Sequence, residues 1–194
     1  MKVVFCNGPP HAGKDEVGKI INRRFKEAYI LKFASALKLA THALYSVPVN
    51  RLSRDSYEHC KDDPHEDFFG LTPRQAYIEV SERMVKPLHG ADFFGRVLAR
   101  HVRHLKPVAE IVIITDSGFV EEARPVIAEV GAANCLLLRL HRPECDFKGD
   151  SRGYIDLEPP VATVDIHNHL SLGAFESVVV AAVTEWLAFL RGLG

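Results

Sequence analysis

Gly8-Pro9-Pro10-His11-Ala12-Gly13-Lys14-Asp15 is the stretch on which the reading of this chain turns. Ahead of it runs the apolar segment Val3-Val4-Phe5-Cys6, and behind it Val17, Ile20, Ile21 and Phe25 recur at helical spacing. Strand, G-x4-G-K loop and helix, in that order, let successive backbone N–H groups cradle the phosphates of a nucleotide. Gly8 and Gly13 let the loop curl close to an anion, with His11 and Ala12 between them. Lys14 brings a compact positive charge to the outer phosphates, and the helix N-terminus adds its partial charge. In the usual pattern a Ser or Thr follows the lysine, and its hydroxyl joins a Mg2+ shell. Here Asp15 and then Glu16 follow. A carboxylate binds Mg2+ directly or through water, so Asp15 is a candidate metal ligand. It suits equally the plain role of an acid in the first turn of a helix.

With 194 residues the chain is long enough for one well-buried core and short for two. A net charge of −1, from 24 basic and 25 acidic side chains, argues against a general polyanion-binding surface but leaves room for a local basic groove. Cys6, Cys60, Cys135 and Cys145 follow no disulfide or zinc spacing, and two of them fall in expected strands. A reducing, cytoplasmic setting is therefore expected. No leader peptide is read ahead of the loop, and no segment is expected to reach the length of a membrane span. The ten histidines make no compact four-ligand set of zinc-finger form.

Apolar runs and helical patterns alternate, which predicts a three-layer α/β fold on a parallel sheet. Strands are expected at about 2–7, 29–33, 111–114, 135–140 and 162–166. Helices are expected at about 14–27, 35–45, 73–86, 92–105, 120–130 and 174–191. Thr72-Pro73 reads as an N-cap followed by proline at the first helical position, Pro87 and Gly90 as the stop, and Asp92 as the next cap. Residues 46–106 are read as a helical insertion on the acceptor side, and 141–158 as a polar lid loop, all within one domain.

Ligands of open α/β sheets bind beyond the carboxyl ends of the strands. Ile111-Val112-Ile113-Ile114 would deliver Thr115-Asp116 to that end, making Asp116 a second candidate Mg2+ ligand and a catalytic residue. An Asp opening the turn Asp116-Ser117-Gly118 is the plainer alternative. A phosphate acceptor must be held by positive charge. Arg96 and Arg100 lie on a stripe beside the apolar face of their helix, and Arg74 and Arg83 lie on the preceding one. These four are the candidate acceptor-binding residues. Arg139, Arg142 and Arg152 belong to the lid region, where arginines over a triphosphate would exclude water and stabilise charge.

These features together resemble the phage deoxynucleoside monophosphate kinase family, a branch of the P-loop nucleotide kinases. The resemblance spans nearly the whole chain. It rests on G-x4-G-K-D at Gly8–Asp15, Phe33-Ala34-Ser35-Ala36-Leu37-Lys38, Thr72-Pro73-Arg74-Gln75, Thr115-Asp116 with Glu121-Glu122-Ala123, and Asp165-x-x-Asn168. It implies the three-layer P-loop fold, ATP and Mg2+, a deoxynucleotide acceptor, often a dimer, and Asn168 beside the adenine. Two departures stand out: Glu16 where relatives have a hydroxyl, and an atypical lid at Asp150-Ser151-Arg152-Gly153-Tyr154. Related phage kinases phosphorylate a hydroxymethyl group on a modified pyrimidine in DNA, and this chain is similar to those as well. That acceptor, an alcohol, would need a carboxylate to take its proton; Asp55, Glu79 and Asp92 are the candidates. A slow regulatory ATPase is the competing class, although no switch segments are visible.

Overall fold

The strands form where the β-branched and apolar runs are densest. They are β1 (Lys2–Asn7), β2 (Ala28–Leu31), β3 (Ile111–Ile114), β4 (Cys135–His141) and β5 (Ala162–His167). The helices are α1 (Lys14–Arg24), α2 (Ala34–Leu44), α3 (Pro73–Glu79), α4 (Lys86–His89), α5 (Phe93–Leu105), α6 (Val120–Val130) and α7 (Leu172–Gly192). The computed structural model describes residues 1–150, 152–158, 161–169 and 171–192. Ser151, within the expected lid, lies outside the described residues.

The strands pair in parallel in the order β2-β3-β1-β4-β5, with Val3 aligned to Val112 on one side and Cys135 on the other. Side chains alternate across the sheet with period two, and each face has its own core. Val4, Cys6, Ile113, Leu136 and Leu138 pack with Val17, Ile20 and Ile21 of α1 and Val179 and Val183 of α7. Val3, Phe5, Val112, Ile114 and Leu137 pack with Leu98 and Val102 of α5 and Ala123 and Val126 of α6. Chain order reverses at β1, so the loop after it sits at the crevice where open α/β sheets bind ligands. The expected fold class, α/β with a central parallel sheet, is the observed one.

Several boundaries differ from expectation. α1 stops at Arg24 because Phe25 turns extended and Glu27 takes a left-handed backbone (φ 50°) to enter β2. The helix expected to stop at 86 continues to His89, through a wide π-type turn at Val80–Val85. That turn carries the helix past Pro87, which has no N–H to donate. Asp92 opens α5, but its carboxylate pairs with Arg96 (3.4 Å) instead of capping an amide. α7 has 21 residues and is long and apolar enough to cross a membrane, by length and composition only, contrary to expectation. In this fold its Phe175, Val179, Val183 and Trp186 are buried in the sheet core.

Between α2 and α5 the chain makes a smaller core of Val47, Tyr57, Phe68 and Ala76. α5 itself, expected in the insertion, belongs to the helical layer of the sheet. The expected lid is partly strapped down. Ile155 and Leu157 alternate with exposed neighbours and are buried in the second core.

Candidate active site

A cleft of about 740 Å3 opens at the carboxyl end of the sheet, lined by the G-x4-G-K loop, α2, α3, the start of α6 and the lid. At one end the loop curls as its sequence demands. Gly13 has φ +105°, and a Cβ there would lie 2.8 Å from Asn168 Nδ2. A left-handed turn this tight against a neighbour admits only glycine. His11 is also left-handed (φ 63°), its polar side chain exposed. The Lys14 ammonium donates to the carbonyls of Gly8 and Pro9, both at 2.6 Å. Burial, followed by the charge of Arg152, lowers its pKa to about 8. The first amides of α1 have no intrahelical acceptors, so this end of the cleft offers anion-seeking N–H groups beside a desolvated cation. Gly8 and Ala12 are buried and act through their carbonyls, Gly8 on Lys14 and Ala12 on the Asn168 amide (2.9 Å). Glu16 lines the cleft mouth and faces Lys19 and Arg23, each at 3.7 Å.

Asp15 and Asp116, the candidate metal ligands, are held differently. Asp15 Oδ1 accepts from Thr115 Oγ1 (3.0 Å) and meets Lys32 Nζ (2.9 Å), while Oδ2 carries neither contact. Burial works to raise its pKa, but Lys32 and the Thr115 hydroxyl hold it below the usual value. In the common arrangement the loop supplies the hydroxyl and the strand end the acid. Here the loop supplies the acid and β3 the hydroxyl. Asp116 accepts the amides of Phe33 (2.8 Å) and Ala34 (3.0 Å), capping α2. Burial raises its pKa against the pull of those two amides. Among the described residues no cluster of three or more His, Cys, Asp or Glu could hold a metal by itself. Mg2+ does not require one, since it keeps waters and takes one or two carboxylates plus substrate phosphates. Asp15, whose Oδ2 makes no hydrogen bond among the described residues, would suit that role beside the glycine loop, whereas Asp116 is committed mainly to α2.

Of the lid arginines, two reach the cleft. Arg142 donates to the His11 carbonyl (2.9 Å), and Arg152 is fixed by Asp150 (Nε–Oδ1 2.8 Å). That pairing holds the Asp150 carboxyl down to about 2. Arg139 is not brought in; it bridges Asp156 and Asp165 at the β4–β5 edge.

The acceptor arginines divide in the same way. Arg74 lines the cleft, paired to Asp62 (2.5 Å). Arg83 (side chain 79% exposed, facing Glu79) and Arg96 (53% exposed, donating to the His89 carbonyl) stand outside it, as does the exposed Arg100. Helical spacing put these groups on one stripe, but it could not say that the stripe faces away. The candidate proton acceptors Asp55, Glu79 and Asp92 are likewise absent from the lining.

Two residues escaped the sequence reading. Asn7 ends β1 fully buried, donating to the carbonyls of Ser117 (2.9 Å) and Gly153 (3.0 Å) and accepting from Ile155 N (3.2 Å). One amide thus ties the end of β1, the turn after β3 and the lid strap. Its only signal was a polar residue completing a buried strand. The other is Glu122, quoted above within a motif but given no role. It is 6% exposed in the first turn of α6, lines the cleft, and carries no ion pair or side-chain hydrogen bond among the described residues. Burial, then the nearby Asp116 charge, raises its pKa to about 7.

Comparison with solved structures finds an unliganded sugar kinase from Janibacter sp. HTCC2649. It matches with a TM-score of 0.51 over 97% of this chain and 95% of that one, at 13% identity. The tunicamycin resistance protein of Deinococcus radiodurans matches at a TM-score of 0.47 and 11% identity, covering 94% and 95%. No protein-family profile and no curated protein sequence matches the chain. The likeness to the sugar kinase is therefore one of fold.

Proposed function

We propose that the protein is a P-loop nucleotide kinase, transferring the γ-phosphoryl group of ATP to a deoxynucleotide with Mg2+. The observation that carries this is Lys14, desolvated and gripped by the Gly8 and Pro9 carbonyls where the first amides of α1 face the cleft. A triphosphate would release the ammonium from those carbonyls, and Lys14 would then neutralise charge on the migrating group. Asp15 would hold a Mg2+ ion, which would supply further charge neutralisation on the phosphates. Arg142 and Arg152, fixed over the loop, would close the site to water and stabilise the transferring oxygens.

The resemblance points to a free deoxynucleoside monophosphate as acceptor, with Arg74 as its anchor. A specific observation favours the second reading, the hydroxymethyl group of a modified pyrimidine in DNA: the unpaired Glu122 at the acceptor end. Radiolabelled ATP offered with each deoxynucleoside monophosphate, and with oligonucleotides containing hydroxymethylated pyrimidines, tests both. Label in a free diphosphate supports the first reading, and label retained on the oligonucleotide the second. ADP formed at a rate indifferent to any acceptor would replace both with a regulatory ATPase.

A further inference from the structure

We propose that Glu122 is a catalytic base that takes the proton from an attacking hydroxyl, so that the acceptor class of this cleft is a primary alcohol. This rests on the phosphotransfer reading above and sharpens its substrate.

The placement of Glu122 is built into the fold. Gly95 in α5 faces the α6 backbone at this residue, and a Cβ on Gly95 would lie 2.8 Å from Glu122 Cα and 2.9 Å from its carbonyl carbon. Only glycine lets the two helices come this close, and their approach carries the first turn of α6 to the cleft wall. Phe94 and Phe119 line the same cleft, as do Ser81 and Glu82 from the π-type turn. A wide turn of this kind costs helix regularity and is found most often at functional sites.

Charge decides which acceptor fits. The cations of the acceptor side are each held by an acid: Lys38 by Glu58, Lys61 by Glu58 (3.3 Å), Arg74 by Asp62, and Lys86 by Glu82 (2.6 Å). The charges that act on Glu122 are Asp116 after β3 and Glu82 and Lys86 from the turn and α4, all on the cleft lining, and Glu121 beside it on α6, which is exposed outside the lining. Two lining acids and one already paired lysine disfavour an incoming phosphate dianion beside Glu122. A monophosphate has little use for a base either, since its second proton leaves near pH 6. An alcohol brings no charge, and its oxygen becomes an adequate nucleophile only as its proton departs. Burial, and after it the Asp116 charge, raises the pKa of Glu122 to about 7, where a general base works best at neutral pH.

The step balances. The acceptor oxygen forms a bond to the γ-phosphorus of ATP as the bond from that phosphorus to the β,γ-bridging oxygen breaks, its electron pair leaving with ADP. The hydroxyl proton passes to the Glu122 carboxylate and from there to solvent.

The full-length protein is assayed with labelled ATP against an oligonucleotide bearing 5-hydroxymethyluracil, the corresponding free hydroxymethyl deoxynucleoside, and unmodified deoxynucleoside monophosphates. Transfer to a hydroxymethyl acceptor is expected from the parent protein. Glu122→Gln should lower kcat about 100- to 10,000-fold, leave the KM for ATP unchanged, and abolish the rise in rate through pH 7. Glu122→Asp should recover part of the rate, and it serves as the test if the glutamine variant does not fold. Full kcat in Glu122→Gln, or transfer by the parent protein to monophosphates alone, overturns the proposal and leaves phosphotransfer standing. Failure of the parent protein to bind ATP or to label any acceptor overturns phosphotransfer itself, and the proposal with it.

Discussion

At the end of the cleft proposed for the phosphate donor, backbone N–H groups stand beside an ammonium held by loop carbonyls, whereas at the end proposed for the acceptor the cationic side chains are already engaged with carboxylates. Lys14 is held only by two carbonyls of its own loop, and a phosphate oxygen can displace those at little cost. Lys38, Arg74 and Lys86 are each bound to a carboxylate. An anion arriving there must break an ion pair before it gains one. In the proposed reading the first end is preorganised for an anion and the second is not, while Glu122 stands in the cleft with no side-chain partner among the described residues. Preorganised groups give the larger catalytic return, because no reorganisation remains at the moment of reaction.

The contrast breaks first at Lys14. Lys14→Ala should cost roughly 100- to 1,000-fold in kcat or more, with far-UV circular dichroism and thermal unfolding unchanged. Near-parental turnover would show that the donor end does not depend on its cation.

Asn7→Ala comes next. It strips partners from two carbonyls and an amide in the core, and is expected to cost about 3 kcal/mol in urea unfolding. A loss below about 0.5 kcal/mol would mean that water takes over the contacts and that the loop and lid are joined otherwise.

Glu122 tests the same contrast through stability. Unfolded, its carboxyl loses its proton near pH 4.5; folded, it holds it to about 7. Between those values the native state binds more protons, so stability falls as pH rises across the window. Glu122→Gln should remove that fall. It should leave the variant as stable as the parent at pH 4 and more stable at pH 8, by on the order of 3 kcal/mol. No gain at pH 8 would indicate that the acceptor end tolerates the charge without penalty.

The smallest effects sharpen the map of arginines. Arg74→Ala should raise the acceptor KM about 10-fold, the worth of a charge-assisted hydrogen bond. Arg96→Ala and Arg100→Ala should leave both substrates within about 2-fold, as exposed pairs and solvated charges usually do. A selective rise in acceptor KM in Arg96→Ala would return that helix face to the acceptor site.

Legibility along the chain follows how local each feature is. Strand positions and the curled loop were readable because continuous apolar runs and the G-x4-G-K spacing act within a few residues. The tail of the lid carried a readable signal, Ile155 and Leu157 on alternate positions, that a polar average over 141–158 concealed. The length of α7 and the continuation of α4 past Pro87 were missed because packing and a π-type turn override the usual stop signals.

What the chain order alone determined, then, is a parallel sheet with a glycine-curled loop after its first strand, since β-branched runs and glycine spacing leave the backbone few other courses. Tertiary structure decided which charges meet. The rotation of α5 put Arg96 and Arg100 outside the cleft, the absence of a Cβ at Gly95 brought Glu122 to its wall, and the pairing of β1 with β3 joined Asp15 to Thr115. Those pairings link residues up to 100 positions apart, and their geometry is set by close packing between layers, which no local spacing encodes.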